Sequence, residues 1–288
     1  MNKWVAGARP RTLPASVVPV IVGTACAVGA GGIIVWRALA AMVVALAIQV
    51  GTNYQNDYAD GVRGTDSQRV GPVRLVASGL ATPSEVGKAA LVSMLVAAAA
   101  GLALAIAVSP WLLVVGAASF LAGYFYTGGP KPYGYLGFGE LFVFVFFGLV
   151  ATIGSAYVQI EKITSVAVVA AIPVGFLITS LLVANNLRDI PTDGPAGKRT
   201  LAVRLGDKRT RWLYCLLILV AFLVLPIFGA LGRPACALAF IAVVVARKPV
   251  QIVLEGATGP ALIPVLGATG RLIIVFGVLL AIGLCYVP

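Results

Sequence analysis

The chain has 288 residues, of which 60% are hydrophobic and only 11% are charged, and its formal net charge is +11. A soluble domain carries about 25% charged residues, so a chain this poor in charge cannot cover a water-facing surface. The composition therefore argues against a soluble protein and predicts an integral membrane protein. Histidine is absent, which removes histidine-based catalysis and histidine-ligated metals from consideration.

Nine apolar segments, taken in chain order, are long enough to cross a bilayer as helices. Their residues do not alternate between polar and apolar, which disfavours a strand-built barrel. Thr82-Pro83-Ser84-Glu85 predicts the start of the third helix through a capping box with proline at the first helical position. We therefore expect an all-α, polytopic fold in a single domain spanning 1–288. The predicted spans are 14–34, 38–58, 84–108, 111–128, 139–158, 164–187, 210–230, 234–254 and 268–287.

Lysine and arginine predict the orientation of these spans, because cytoplasmic loops are enriched in positive charge. With the N-terminus in the cytoplasm, only Arg37, Lys162 and Arg233 lie outside, and the other 18 of the 21 basic residues lie inside. The C-terminus is then outside. The positive charge is spread over every inner loop, which disfavours a nucleic-acid-binding surface.

Half of the ten acidic residues lie in two short stretches, at the ends of the second and sixth predicted spans. The first stretch is NYQNDYADGVRGTD (53–66), which carries Asp57, Asp60 and Asp66. The second is NNLRDIPTDG (185–194), which carries Asp189 and Asp193. Four crossings separate the two stretches, so we expect both on the same membrane face.

The two stretches also resemble each other in spacing. Asn53, Asn56 and Asp60 have the same offsets of 3 and 7 as Asn186, Asp189 and Asp193. These offsets place the three side chains of each set on one face of a helix. The repeat is consistent with two related halves, about 1–110 and 111–288. Pro191 is expected to break the second helix, so that Asp193 would reach the site from a loop.

Carboxylates at the end of a membrane helix need a positive partner, because like charges facing each other raise each other's pKa. Carboxylate and amide oxygens from two helices form the hard oxygen shell that Mg²⁺ prefers, and Mg²⁺ is usually completed by substrate phosphates. This spacing favours a metal–diphosphate site. Two alternatives stay open from the residues alone: an arginine ion-pair network and the ion site of a transporter.

Five stretches in the same order along the chain resemble the UbiA-type intramembrane prenyltransferases, and within them the 1,4-dihydroxy-2-naphthoate branch. These stretches are ARPRTLP (7–14), NDYADGVRGTD with RVGPVRLVASG (56–79), YTGGPKPYGYLGFGE (126–140), VFFG (145–148) and NNLRDIPTD with GKRTLAVRLGD (185–207). One departure concerns Asp66, because Asp60 and Asp66 are spaced Asp-x5-Asp where the family commonly has Asp-x3-Asp.

The resemblance implies a UbiA-like nine-helix bundle in the cell membrane with its active site toward the cytoplasm. It also implies Mg²⁺-dependent transfer of a polyprenyl group from polyprenyl diphosphate to 1,4-dihydroxy-2-naphthoate, with loss of CO₂ and diphosphate, in menaquinone biosynthesis. We expect two magnesium ions, the lipid bilayer as surroundings and no obligate protein partner. Acceptors such as 4-hydroxybenzoate remain an alternative, as does an ion-coupled transporter of a different class.

The resemblance assigns candidate residues to four roles. Asp57, Asp60, Asp189 and Asp193 are the catalytic candidates, with Asp57 orienting the first motif or a metal-bound water. The metal candidates are Asn56, Asp60, Asp66, Asp189 and Asp193. The diphosphate candidates are Asn53, Arg63, Lys131, Asn186, Arg188, Lys198 and Arg199. The candidates for the aromatic acceptor are Tyr126, Lys131, Tyr133 and Tyr135. Glu140 is expected to be an ordinary helix N-terminal acid.

Overall fold

A computed structural model describes residues 2–65 and 73–286, and these residues form helices and connecting loops without a strand. The α-helices are α1 Lys3–Ala8, α2 Pro14–Val28, α3 Val35–Arg63, α4 Pro83–Ala107, α5 Trp111–Thr127, α6 Gly139–Val143, α7 Ala151–Ile160, α8 Ser165–Asp193, α9 Leu201–Leu223, α10 Leu225–Ala230, α11 Val243–Leu254 and α12 Ile263–Cys285. A π-helical stretch, Phe144–Val150, joins α6 to α7. Short 3-10 turns lie at Pro10–Thr12, Tyr133–Leu136, Pro234–Ala242 and Gly259–Leu262.

Seven helices in the described part of the chain are long and apolar enough to cross a membrane. They are Val35–Arg63, Pro83–Ala107, Gly139–Ile160, Ser165–Asp193, Leu201–Ala230, Pro234–Leu254 and Gly259–Cys285. An eighth results if Lys3–Thr12 and Pro14–Val28, which meet at a bend of 53°, form one span. The fourth predicted span corresponds to α5, an apolar helix of 17 residues. The prediction of an all-helical, multi-pass membrane protein is therefore confirmed.

The start of α4 confirms the predicted capping box. The Thr82 side chain accepts a hydrogen bond from the backbone N–H of Glu85, and the Glu85 carboxylate accepts one from the backbone N–H of Thr82. Two of the otherwise unpaired N–H groups at this helix end are satisfied in this way.

The predicted break at Pro191 is wrong, because α8 continues through Pro191 and ends at Asp193. Proline removes one backbone donor, here in the last turn, where few helical bonds remain to be lost. The Thr192 hydroxyl donates to the carbonyl of Asp189 (3.1 Å) and supplies another hydrogen bond to that turn. Asp193 is thus presented by the end of a helix, as Asp60 is near the end of α3.

The largest buried core surrounds α8, which packs against α2, α9 and α12. Small residues of α8 such as Ala167, Ala170 and Ala184 are fully buried there, and they let neighbouring helices approach closely. By contrast, α4 and α5 keep large apolar side chains on the outside, among them Leu95, Ile106 and Val114. These exposed apolar side chains are suited to contact with the hydrocarbon core of a bilayer.

Two of the three basic residues predicted to lie outside bind carbonyl groups at helix ends. Arg37 donates to the carbonyls of Val158 (3.0 Å) and Ala107 (3.2 Å). Arg233 donates to the carbonyl of Gly29. Carbonyls in the last turn of a helix lack intrahelical donors and carry partial negative charge, so both arginines satisfy groups that membrane surroundings would leave unpaired.

Candidate active site

Near its C-terminus, α3 presents Asn56, Asp57 and Asp60, and all three side chains are buried. Asn56 accepts a hydrogen bond from the hydroxyl of Thr127 (2.7 Å), which ties α3 to the end of α5. The helix ends at Gly64, whose left-handed φ of 73° lets its N–H return to the carbonyls of Asp60 and Gly61. The first motif is therefore held in place by both the helix and its cap.

Asp57 is fully buried and anchors the segment that follows the first motif. Its carboxylate accepts hydrogen bonds from the backbone N–H groups of Leu75 (2.9 Å) and Val76 (3.2 Å). The side chain of Leu75 is itself buried against Tyr54 and Val86. Asp57 thus holds the backbone of residues 75 and 76 against α3. The expectation that it orients the first motif or a metal-bound water stays a prediction.

Asp60 makes two contacts that link it to later parts of the chain. The hydroxyl of Tyr135 donates to Asp60 Oδ1, and Lys198 Nζ lies 3.1 Å from Asp60 Oδ2. Burial raises the pKa of the Tyr135 hydroxyl, and the neighbouring Asp60 carboxylate raises it further. Tyr135 therefore remains a hydrogen-bond donor at neutral pH.

The second motif forms a buried arrangement on α8. Arg188 Nε and Nη2 donate to the two carboxylate oxygens of Asp189, at 2.7 and 2.8 Å, and Nη2 also donates to the amide oxygen of Asn185. The side chain of Arg188 is completely inaccessible, and its Nη1 has no hydrogen-bond partner among the described residues. An unsatisfied buried donor costs about 1–3 kcal/mol, so an anionic ligand at this atom would relieve it.

Glu140 lies in the first turn of α6, the helix N-terminal position that the sequence predicted, and its side chain is buried. It accepts a hydrogen bond from the amide nitrogen of Asn186 (2.9 Å), which turns that nitrogen toward α6. The predicted contact of Asn186 with diphosphate stays a prediction.

Lys198 brings the two motifs together. Its backbone N–H donates to the carbonyl of Asp193 (2.9 Å), and its side chain reaches Asp60. The end of α8 and the end of α3 are thus separated by one lysine side chain. The expectation that the two motifs share one membrane face and one site agrees with this contact.

A cavity of about 820 Å³ lies between α2, α3, α4, α5 and the helices from 139 to 193. Its walls are mostly apolar, with Ile48, Phe120 and Phe146 among them. Along α3 the lining runs from Ala41 to Asn56, which corresponds to about 22 Å of helix. A long apolar chain with a polar head fits this shape.

The polar end of the cavity is lined by residues from both motifs and by arginines. Asn56 comes from α3, and Asn185 and Arg188 come from α8. Arg9, Arg11 and Arg74 also line the cavity, and they are not among the seven diphosphate candidates named from the sequence. A buried arginine favours an anion, because its planar guanidinium forms paired hydrogen bonds with carboxylate or phosphate.

Asn53 and Arg9 fix the N-terminal segment against α3. Asn53 Nδ2 donates to the carbonyl of Ala8 (2.9 Å), and Arg9 Nη2 donates to the carbonyl of Asn53 (3.3 Å). Arg9 has a φ of 53°, an uncommon left-handed conformation for a residue other than glycine. Asn53 therefore positions the N-terminal segment in this structure, and it also lines the cavity. Its predicted contact with diphosphate stays a prediction.

Five of the seven predicted diphosphate residues are not part of the cavity lining: Arg63, Lys131, Asn186, Lys198 and Arg199. Arg63, the last residue of α3, donates to the carbonyls of Thr127 and Gly129. Lys131 is exposed, and so is Arg199, whose backbone N–H donates to the carbonyl of Tyr135. Lys131 and Arg199 lie in loops, whose side-chain directions helical periodicity does not specify.

The predicted aromatic residues divide into two groups. Tyr126 and Tyr133 line the cavity, and Tyr133 stacks on Phe142 with ring centroids 4.0 Å apart. Burial raises the pKa of the Tyr133 hydroxyl, which donates to the carbonyl of Ala122. Tyr135 lies instead beside Asp60 and Lys198.

The donor chemistry of the two motifs fits magnesium. Asn56, Asp60, Asp189 and Asp193 offer buried amide and carboxylate oxygens from two helix ends that Lys198 connects. Among residues 2–65 and 73–286, no three acidic, histidine or cysteine side chains lie close enough together to hold a metal ion. Asp60 and Asp189 contact cationic side chains instead. Asp66, the fifth predicted ligand, lies outside the described residues.

Comparisons with known proteins identify the family. Residues 16–254 match the UbiA prenyltransferase family. The chain is 50% identical over 284 residues to the 1,4-dihydroxy-2-naphthoate octaprenyltransferase of Mycobacterium tuberculosis, covering 99% of this chain and 97% of the relative. It is 36% identical over 233 residues to the enzyme of the same name from Escherichia coli, covering 78% and 76%.

Solved structures agree at the level of the fold. A UbiA homolog from Aeropyrum pernix K1 matches with a TM-score of 0.70 at 15% identity, covering 94% of this chain and 97% of that one. A UbiA homolog from Archaeoglobus fulgidus bound to GPP and Mg²⁺ matches with a TM-score of 0.65 at 13% identity, covering 97% and 99%. The sequence-based prediction of this enzyme class is confirmed: the chain belongs to the UbiA prenyltransferase family.

Proposed function

We propose that this protein transfers a polyprenyl group from polyprenyl diphosphate to 1,4-dihydroxy-2-naphthoate, with loss of CO₂ and diphosphate, giving demethylmenaquinol for menaquinone biosynthesis. The observation that carries the proposal is the long apolar cavity whose polar end is formed by Asn56 of α3 and Arg188 of α8. The similarity to two naphthoate octaprenyltransferases over most of their length supports the choice of acceptor.

The cavity accommodates the two parts of the prenyl donor separately. The apolar wall between α3, α4 and α5 takes the hydrocarbon chain. The diphosphate lies at the polar end, where the unpartnered Nη1 of Arg188 donates to a phosphate oxygen. Arg9 and Arg74 add positive charge to the same end of the cavity.

Asn56, Asp60, Asp189 and Asp193 would hold two magnesium ions, with Asp66 as a further ligand. Bound magnesium supplies charge neutralisation for the departing diphosphate. Arg188 and Lys198 contribute charge from the chain itself, because both are buried within contact of the aspartate motifs. Their effect is strengthened by low-dielectric surroundings.

The reaction balances without a strong protein base. The allylic C–O bond breaks and its electron pair leaves with the diphosphate. The ring carbon that bears the carboxylate bonds to the allylic carbon. The bond to the carboxylate carbon then breaks, CO₂ departs and its electron pair returns to the ring. The apolar walls would protect the allylic cation from water. We assign contact with the acceptor ring to Tyr126 and Tyr133, because both line the cavity.

We further propose nine spans, a cytoplasmic N-terminus and a cytoplasmic active site in the cell membrane, on the strength of the basic-residue distribution. In a variant without native cysteines, Lys162→Cys should react with an impermeant maleimide in intact cells, and Lys208→Cys only after permeabilisation. The reverse pattern would contradict this orientation.

The activity is tested with full-length protein in detergent, a polyprenyl diphosphate, Mg²⁺ and 1,4-dihydroxy-2-naphthoate. We expect a prenylated quinol together with equal amounts of CO₂ and diphosphate, and no product after chelation of the metal. A parallel reaction with 4-hydroxybenzoate serves as the acceptor control. Product formed only from 4-hydroxybenzoate would overturn the proposed acceptor, and no product from either would overturn the proposal.

A further inference from the structure

The buried ion pair between Lys198 and Asp60 connects residues 138 positions apart. Lys198 Nζ lies 3.1 Å from Asp60 Oδ2, and both side chains are more than nine-tenths buried. The ammonium also lies 4.9 Å from the ring centroid of Tyr135. A buried pair of this kind is held by its surroundings as well as by its own attraction.

The backbone of Lys198 is anchored by contacts that do not involve its side chain. Its N–H donates to the carbonyl of Asp193, and the preceding Gly197 has a left-handed φ of 77° that turns the chain back toward α8. The lysine side chain ends four methylene groups from this anchor. Its ammonium can therefore leave Asp60 for another nearby anion without disturbing the end of α8.

Both carboxylate oxygens of Asp60 are engaged by donors of the chain. Oδ1 accepts from the Tyr135 hydroxyl and Oδ2 lies against Lys198. A divalent cation bound at Oδ2 would lie close to the ammonium, and the repulsion of like charges is strong in surroundings of low dielectric. Metal binding through Asp60 and the present position of Lys198 therefore compete.

We propose that Lys198 is an exchangeable counter-ion of the first aspartate motif. Its ammonium neutralises Asp60 and holds the ends of α3 and α8 together. When the metal and diphosphate bind, the ammonium moves from Asp60 to a diphosphate oxygen. The inference rests on the proposed function and deepens it, because it predicts that the free protein binds divalent metal weakly and that metal and diphosphate bind together.

The test measures Mn²⁺ affinity by electron paramagnetic resonance on full-length protein in detergent, with neither donor nor acceptor present. Lys198→Met and Lys198→Gln should each tighten Mn²⁺ binding about tenfold, because a competing positive charge is removed. Lys198→Arg, which keeps the charge, should leave it unchanged. Lys208→Met is the matched control, since Lys208 is exposed on α9.

Unchanged or weaker Mn²⁺ binding in folded Lys198→Met or Lys198→Gln would overturn the proposed counter-ion exchange. The contact between Lys198 and Asp60 would then be a permanent structural ion pair. Lys198→Gln keeps a hydrogen-bond donor for Asp60, so it provides the result if Lys198→Met does not fold. Thermal unfolding identifies which variants are folded. Because no substrate is present, this outcome is independent of the prenyl-transfer assay, and failure of either proposal is distinguishable from failure of the other.

Discussion

At the residue scale, the site consists of polar groups that are each fixed by a specific partner. Asp57 binds backbone N–H groups, Asp189 binds Arg188, and Asp60 binds Tyr135 and Lys198. The sequence indicated which aspartates lie at helix ends, because periodicity places them there. It could not indicate their partners, since Tyr135 and Lys198 come from loops 75 and 138 residues further along the chain.

Tyr135→Phe tests the contact between Tyr135 and Asp60 through its pH dependence. The pKa of Tyr135 is raised in the folded protein, above its unfolded value of about 10. The stabilisation from its protonated hydroxyl is thus fully present below about pH 10 and is lost as the pH rises through the folded pKa. The difference in unfolding temperature between wild type and Tyr135→Phe should be constant from about pH 6 to 9.

That difference should decrease above about pH 10, as the unfolded chain releases the tyrosine proton that the folded chain retains. The measurement is thermal unfolding in detergent across this range. Tyr286→Phe is the matched control, because Tyr286 is exposed at the end of the chain. A difference that increases with pH would show that the folded state favours the ionised form, contrary to the structure.

At the element scale, the apolar runs located the long helices but not all of their ends. The predicted spans end at 58 and 187 and begin at 210, whereas α3 and α8 continue to Arg63 and Asp193 and α9 begins at Leu201. The capping box at Thr82 lies where the sequence placed it. The π-helical stretch Phe144–Val150 and the change of backbone direction at Gly206 were not predicted. The π-helical stretch packs against α8, and Gly206 adopts a positive φ of 76°. An apolar pattern within one segment encodes neither feature.

The π-helical stretch packs against α8 through two glycines. A Cβ atom added to Gly148 would lie 2.5 Å from the Cα of Gly175, closer than packed atoms approach. Gly148→Ala should therefore lower stability by about 1–3 kcal/mol through overpacking. Thermal unfolding in detergent measures the effect.

Gly154→Ala is the matched control, because a Cβ atom at Gly154 meets nothing within 4 Å. It should leave the unfolding temperature unchanged or raise it slightly, since alanine is favoured over glycine in a helix. Equal effects of the two substitutions would contradict the close approach of the π-helical stretch and α8.

At the scale of the whole molecule, two helices of 29 residues each carry an aspartate motif near their ends. Asn56 of α3 and Asn185 and Arg188 of α8 line the apolar cavity, whereas the aspartates of the two motifs are not part of its lining. The positive-charge distribution and the apolar runs predicted this general arrangement. Arg188 was predicted from the second motif, whereas Arg9 and Arg74 were not named as candidates, because they reach the cavity through loop conformations fixed by Asn53 and Asp57. The contact between the two motif-bearing helix ends through Lys198 exists only in the assembled bundle.

The most direct test of this convergence is the Mg²⁺-dependent binding of farnesyl thiodiphosphate, an unreactive donor analogue, to full-length protein in detergent. Wild type is compared with Asp60→Asn, Asp193→Asn and, as an exposed carboxylate control, Glu255→Gln. We predict that Asp60→Asn and Asp193→Asn each weaken binding at least about tenfold, since each removes a charge from one shared site, and that the control has no effect. If only one of the two motif variants weakened binding, the motifs would not share the diphosphate, and the account would be contradicted.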